Sequence, residues 1–294
     1  MTEVLHQPVR VPEQTRTEPS PEILGLDWSP ESFDSSRIDT LVGNLIPNQD
    51  CRGGRSFGVH IVEGSDEASD IARFIESTVF DEYFDNDVNT MKQEYSQYDP
   101  SSTFLLVLDY DNVKPVGVVR LIKPSAAGLK SLNDLVRTDS PWYREGDTTT
   151  RRMAEIGDDP NHTIDIGTMA VMPNYRSKHA GNGASAALYS TCVQWSIANG
   201  YNYWVTIVDK KIYTDMQSWG EPFQPFDGAE FRSYLDSPAS LPVHLEVYSG
   251  LCKVKKFDEQ MTEALGQPMD VHGLYTRGTG LEQQFVLPEW SNTV

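Results

Sequence analysis

Between Arg176 and Ala184 the chain reads Arg-Ser-Lys-His-Ala-Gly-Asn-Gly-Ala, a basic, glycine-containing turn with an apolar run before it and a helix-like run after it. A helix starting there leaves backbone N–H groups without intrahelical partners, and its dipole favours negative charge at that end, so the turn is suited to phosphate. Gly183 is followed by Ala-Ser-Ala-Ala, so neither the Gly-Lys-Ser/Thr of a P-loop nor the Gly-x-Gly-x-x-Gly of a dinucleotide site is present. Taken alone, such a turn is equally an ordinary strand-to-helix connection. Upstream, Asp165 lies on the run Thr163 to Val171 and Glu155 lies just ahead of it. A carboxylate partly buried at such a place has a raised pKa and takes a proton near neutrality. The plainer role is a strand-end carboxylate paired with Arg120, Arg151 or Arg152. Cys192 sits in a helical run among Leu188, Val193 and Trp195 and reads as a buried, inert thiol rather than a nucleophile. No Gly-x-Ser-x-Gly elbow points to a serine hydrolase.

The surroundings of the turn resemble the cofactor-binding motif of the GNAT superfamily of acyl-CoA N-acyltransferases. Val171-Met172-Pro173, Tyr175-Arg176, Gly181-Asn182-Gly183-Ala184 and the helix from Leu188 to Trp195 running into Tyr203 to Val208 carry the resemblance, over roughly the central third of the chain. The family pattern is Arg/Gln-x-x-Gly-x-Gly/Ala. Counted from Arg176 there are two residues too many before Gly181, whereas Lys178 has the right spacing to Gly181 and Gly183. The resemblance implies acyl-CoA as co-substrate, acetyl or longer, with its pyrophosphate at Arg176, Lys178, Gly181, Asn182, Gly183 and Ala184. It puts the thioester and pantetheine arm against the backbone of Met169, Ala170 and Val171. It makes Asp165 the base by position, Glu155 a reserve, and Tyr213 the acid for the departing thiolate.

A narrower similarity points to acyl-homoserine-lactone synthases and N-acyl amino acid synthases, through Tyr98-Asp99, the strand ending in Asp109, Gly117, Arg120-Leu121 and Pro124. Those enzymes carry Glu-x-x-Arg on the next strand, where this chain has Asp165-Ile-Gly-Thr168, with threonine in place of the arginine. The similarity implies N-acylation of a small amino-acid-like amine, with Arg120 steering a carboxylate of that acceptor. Two alternatives stay open. One is an acyl-carrier-protein-dependent enzyme, with Lys178, Lys210, Lys211, Lys253, Lys255 and Lys256 as a basic landing area; the other is a non-catalytic acyl-CoA-binding module.

At 294 residues the chain is long enough for one large core or two small ones. Its formal net charge of −19 argues against nucleic-acid or anionic-membrane partners. No apolar run approaches the ~20 residues of a membrane helix, and the N-terminal residues lack the basic-then-apolar order of a signal peptide. Three scattered cysteines suit a reducing cytoplasm better than a disulfide framework or a zinc site. The acidic run Phe80 to Asp87 fits no calcium loop, so no metal is expected. A homodimer remains open.

The elements that must hold these groups follow from periodicity. Residues 1–55, rich in Pro, Glu, Ser, Thr and Asp, read as an extended or loosely packed arm. Phe57 to Val62 is a strand, and Ile71, Phe74, Ile75 and Val79 mark a helix capped by Asp66 or Ser65. Thr103 to Leu108 and Val116 to Ile122 form a hairpin, Leu129 to Val136 a short helix, and Lys210 to Trp219 another. A short helix near Glu230 to Leu235 and a strand from Val243 follow, with Val254 to Phe257 or Gln283 to Leu287 as a further strand. The expected fold is α/β, a central mixed, mostly antiparallel sheet flanked by helices over residues 56–294.

Overall fold

The computed structural model describes residue 28 and residues 30–48, 54–157, 160–176, 181–218, 223–249 and 259. Their strands are β1 (Phe57–Glu63), β2 (Ser102–Asp109), β3 (Lys114–Ile122), β4 (Thr163–Val171), β5 (Tyr203–Asp209), β6 (Gln224–Pro225), β7 (Arg232–Tyr234) and β8 (Ser237–Glu246). The helices are α1 (Ser35–Leu45), α2 (Ser69–Phe84), α3 (Val88–Tyr95), α4 (Lys130–Val136), α5 (Thr149–Ile156), α6 (Gly181–Ala198) and α7 (Lys210–Ser218). One eight-stranded sheet runs β1-β2-β3-β4-β5-β8-β6, with β7 also on β8. All its pairings are antiparallel except β4 with β5.

The sheet is covered on both faces, which explains why β2 reads as an unbroken apolar run rather than an alternating one. Leu105 and Val107 face the cluster that contains Ala184, Ala187 and Leu188 of α6. Phe104, Leu106 and Leu108 point the other way, onto Ile38 and Val42 of α1 and Ile71 and Ile75 of α2. α6 is buried almost throughout its length because it crosses β1 to β4. No helix among the described residues is long and apolar enough to cross a membrane.

Four expectations are corrected. The last part of the supposed arm is α1, whose Ile38, Leu41, Val42 and Leu45 are buried at helical spacing and whose N-cap Asp34 accepts from the N–H groups of Ser36 and Arg37. α2 starts later than expected: Ala68 is its N-cap and supplies no side-chain cap, while Ser69 Oγ donates to the Gly64 carbonyl at 3.1 Å. The short helix near Glu230 is the strand β7, because Arg232 and Tyr234 pair with Ser240 and Ser237 of β8. The polar interval before β4 holds a second helix, α5, capped by Thr148 and ended by Gly157 at φ 80. The suggested strands at Val254 to Phe257 and Gln283 to Leu287 lie outside the described residues.

If α1 is part of the core, Ile38→Ala should cost about 2–5 kcal/mol of unfolding free energy. Urea denaturation measures this, and a loss under about 0.5 kcal/mol, typical of a surface substitution, would mean that α1 is only loosely attached.

Candidate functional site

β4 and β5 pair in parallel only through Thr163 with Tyr203, Ile164 with Trp204 and Asp165 with Val205. Beyond that point β4 stays on β3 as far as Val171, and β5 stays on β8 as far as Asp209. The sheet therefore opens between them. One last link crosses the opening, from Thr206 Oγ1 to the Ile166 carbonyl at 2.8 Å. The parting coincides with a bulge, since Arg120 pairs with Thr168 and Leu121 with Ile166, leaving Gly167 without a partner on β3. The Gly167 carbonyl accepts instead from the Tyr95 hydroxyl at 3.0 Å. A Cβ at Gly167 would lie 2.9 Å from Ile122 Cδ1 and 3.2 Å from Arg120 Cδ, so a side chain there would have to displace the end of Ile122.

A cavity of about 160 Å³ occupies the gap. One side is apolar, with Tyr189 and Cys192 from α6, Trp204 from β5, Met216 from α7 and Phe223. Burial pushes the Cys192 thiol far above the usual cysteine range, in keeping with an inert packing role. The other side carries Asn86, Tyr95, Thr168 and Tyr234. Behind Thr168 lies a buried ion network. Arg120 donates from Nε and Nη2 to the two oxygens of Glu76 at 2.9 and 2.6 Å, and from Nη1 to Asp99 at 2.6 Å. Arg73 continues it to Asp99 at 3.2 Å and Asp70 at 2.7 Å. The Thr168 hydroxyl bonds Glu76 Oε1 and so ties the cavity wall to the network.

The residues proposed from sequence are distributed unevenly about this cavity. Met169 lines it, while Ala170 and Val171 continue β4 beyond it, paired with Val118 and Gly117 of β3. Arg120 is fully buried and committed to Glu76 and Asp99, so its guanidinium is not presented to an acceptor carboxylate. Asp165 is also fully buried and does not line the cavity. It accepts from the Ser131 N–H at 2.5 Å and the Ser131 hydroxyl at 2.8 Å, so it anchors the start of α4. Burial pushes its carboxyl up to about 7, against the two Ser131 donors that pull it down. Glu155 is on α5, paired with Arg152 at 3.1 Å and accepting from the Asp227 N–H at 2.9 Å. Tyr213 packs edge-on to Phe231, with ring centroids 5.7 Å apart. Arg176 folds back over Tyr83 and pairs with Glu82 at 2.9 Å, and its Nε donates to the Val171 carbonyl at 2.5 Å. Gly181, Asn182, Gly183 and Ala184 form the first turn of α6, with Gly183 and Ala184 buried. Lys178 lies outside the described residues.

Sequence reasoning missed Glu76, Asn86, Tyr95 and Tyr234. A signal existed for Glu76: with Arg73 it puts two charges three residues apart beside Ile71 and Ile75, on the side of α2 that faces the sheet. Such charges are buried only when paired.

Residues 73–184 match the acetyltransferase (GNAT) domain model. The span begins in α2, takes in β2 to β4 and ends in the first turn of α6. Over that span the fold is GNAT-like, as the residues around the turn led us to expect. No curated protein sequence matches the chain. Among solved structures, the CoA-dependent acyl-homoserine lactone synthase BjaI, with SAM and isopentyl-CoA, is 11% identical, covering 73% of this chain and 93% of its own, with a TM-score of 0.43. FeeM, an N-acyl amino acid synthase from uncultured soil microbes, is 15% identical, covering 71% of this chain and 96% of its own, with a TM-score of 0.45. A variant of the spermidine N-acetyltransferase SpeG from Vibrio cholerae is 11% identical, covering 67% and 96%, with a TM-score of 0.39.

Two outcomes follow from the buried charges. Arg120→Met strands Glu76 and Asp99, and should destabilise the chain by about 3–5 kcal/mol; chemical denaturation that gives under 1 kcal/mol would refute the network as drawn. For Asp165, the folded-state pKa lies above the unfolded one, so the folded chain holds the proton more tightly. Its contribution to stability is greatest below the ordinary carboxylate pKa of about 4 and is lost as pH rises towards 7. Asp165→Asn mimics the protonated acid and should flatten the fall in melting temperature between pH 4 and 7. An unchanged slope in that variant would contradict the assignment.

Proposed function

We propose that the protein is an N-acyltransferase that moves an acyl group from acyl-CoA to the amine of a small, amino-acid-like metabolite. The observation that carries this reading is the parting of β4 from β5 after three paired residues, immediately ahead of the turn that opens α6. Past Asp165 the β5-facing edge of β4 has no strand partner, and although the Ile166, Gly167 and Val171 carbonyls accept from Thr206, Tyr95 and Arg176, its remaining backbone groups would bind an extended, amide-bearing chain such as pantetheine. Met169, Ala170 and Val171 would then flank the thioester. The N-terminal end of α6, with Gly181, Asn182, Gly183 and Ala184, would take the pyrophosphate together with Lys178, and Arg176 would have to leave Glu82 to join them.

Acyl transfer requires the thioester carbonyl and the attacking nitrogen to be held together, and the developing oxyanion to meet fixed donors. The gap supplies enclosure on both sides of such a pair. Its apolar wall of Tyr189, Cys192, Trp204, Met216 and Phe223 favours a donor chain longer than acetyl. Asp165 contributes to this reading by holding the start of α4 through Ser131. Arg120 does so by fixing Glu76, and through it Thr168. An acyl carrier protein is the rival donor, with exposed Lys210 and Lys211 beside β5 as part of its landing area. A domain that binds acyl-CoA without turnover is the non-enzymatic reading, and a cytoplasmic location suits any of the three.

Calorimetry with acetyl-CoA, octanoyl-CoA and octanoyl-acyl carrier protein separates the donors. Octanoyl-CoA should bind more tightly than acetyl-CoA, and Gly183→Trp should reduce that affinity at least tenfold by filling the first turn of α6. Unchanged affinity in the variant would refute the phosphate site. Mass spectrometry of the protein with octanoyl-CoA and pooled amine metabolites should reveal an amide product; binding without product favours the non-catalytic module.

A further inference from the structure

The polar side of the cavity is poor in free donors. Tyr95 spends its hydroxyl proton on the Gly167 carbonyl, and Tyr234 gives its own to Asp134. Glu76, clasped by two nitrogens of Arg120, is an ion-paired carboxylate and can only accept. The hydroxyl of Thr168 must therefore donate to it, and what Thr168 has left for the cavity is lone pairs. Asn86, only 1% exposed, lines the same cavity. Its Nδ2 donates to the Leu235 carbonyl at 2.9 Å, and since a carbonyl only accepts, that contact fixes which end of the amide is which. Asn86 Oδ1 is buried and has no hydrogen-bond partner. A buried acceptor left unpaired is costly, so it invites a donor.

Leu235 and Asp236 strengthen the case. Both are non-glycine residues at positive φ, 45° and 59°, at the tip of the β7–β8 hairpin, and Asn86 is what ties that tip to the cavity. Tyr234 pairs with Ser237, and positive φ at both intervening residues is what a two-residue hairpin turn of the I′ type requires, so the turn fixes where the Leu235 carbonyl points. The hairpin thus keeps Asn86 in place, with its nitrogen engaged and its oxygen open.

We propose that Thr168 Oγ1 and Asn86 Oδ1 together hold the acceptor nitrogen and select a primary amine, an inference that rests on the acyl-transfer reading above. A neutral primary amine has two N–H groups and one lone pair. Two acceptors take both N–H groups and leave the lone pair for the thioester carbonyl. The C–N bond forms, the C–S bond breaks with its electron pair leaving on sulfur, and the proton shed by nitrogen ends on that sulfur as the CoA thiol. A secondary amine or an alcohol has a single hydrogen to offer and leaves one acceptor unmet. Thr168 and Asn86 are positioning and specificity residues; neither removes a proton.

The test measures CoA thiol released from octanoyl-CoA, with amino acids and their N-methyl counterparts as acceptors. The unmodified protein should prefer the primary amine at least tenfold in kcat/KM, a comparison that needs no variant. Thr168→Val should raise the amine KM about tenfold while octanoyl-CoA affinity by calorimetry stays within twofold, and Thr168→Ser should restore the unmodified value. Asn86→Leu should narrow the primary-to-secondary ratio. Equal use of N-methyl acceptors, or an unchanged amine KM in Thr168→Val, would overturn the inference. Octanoyl-CoA binding with no amine acylated would also overturn it while leaving the donor cleft standing. No octanoyl-CoA binding at all would remove the acyl-transfer reading and this inference with it.

Discussion

Everything near the cavity is tied to the guanidinium of Arg120. It is fully buried on β3, bonded to Glu76 of α2 and to Asp99 ahead of β2, and stacked within 4.8 Å of the Tyr95 ring and 4.6 Å of the Phe104 ring. Trp28 closes the network from the N-terminal side, donating from its indole to Asp99 at 2.8 Å and lying over both Arg73 and Arg120. Taking such charges out of water is costly, and the gain of pairing them does little more than offset it. What the arrangement gives in return is direction. Each carboxylate oxygen has an assigned donor, so α2, β3 and β4 have one way to sit together, and the Thr168 hydroxyl has one way to point.

A second polar cluster performs a similar office on the same polar wall, around Tyr234. Lys130, at the start of α4, reaches Glu94 at 2.7 Å, Asp134 at 2.6 Å and the Tyr234 hydroxyl at 3.0 Å. It joins the interval between β3 and β4, the helix α3 and the β7–β8 hairpin, three segments that share no sheet pairing with one another. Asp165, at the base of the same helix, holds it from below through Ser131. The two clusters make the polar wall of the cavity rigid, while the apolar wall is closed only by side-chain packing.

The order of elements was legible because strand and helix periods are local. The β2–β3 hairpin, β4, α6 and β5 each carry their signal within ten to twenty residues. β7 was not legible: Arg232 to Tyr234 is a strand only because β8 lies beside it. The site was harder still. Asp165, Glu155 and Tyr213 were singled out as neighbours of β4 and β5 in sequence; Asp165 bonds the start of α4, Glu155 pairs with Arg152 and Tyr213 packs on Phe231. The polar cavity wall is assembled from Asn86, Tyr95, Thr168 and Tyr234, and no spacing in the chain relates four positions so far apart. The departure of Thr168 from the arginine of the lactone-synthase pattern was visible, but its meaning depends on Glu76, which only the folded chain brings to it.

The short seam between β4 and β5 has a mechanical side. Among the described residues, three paired residues, the Thr206 hydroxyl and the bond from the Asn202 N–H to the His162 carbonyl at 2.7 Å make up the sheet bonding that joins the β1–β4 half to the half built on β5 and β8. The sheet is in that sense hinged on a seam a few peptide groups wide, and side-chain bonds such as Lys130 to Tyr234 and Asn86 to Leu235 bridge its two halves. An extended guest with amides of its own, laid along the open edge of β4, would supply the missing rungs and act as a borrowed strand. Occupancy and rigidity would then rise together, and the empty protein would be the looser one.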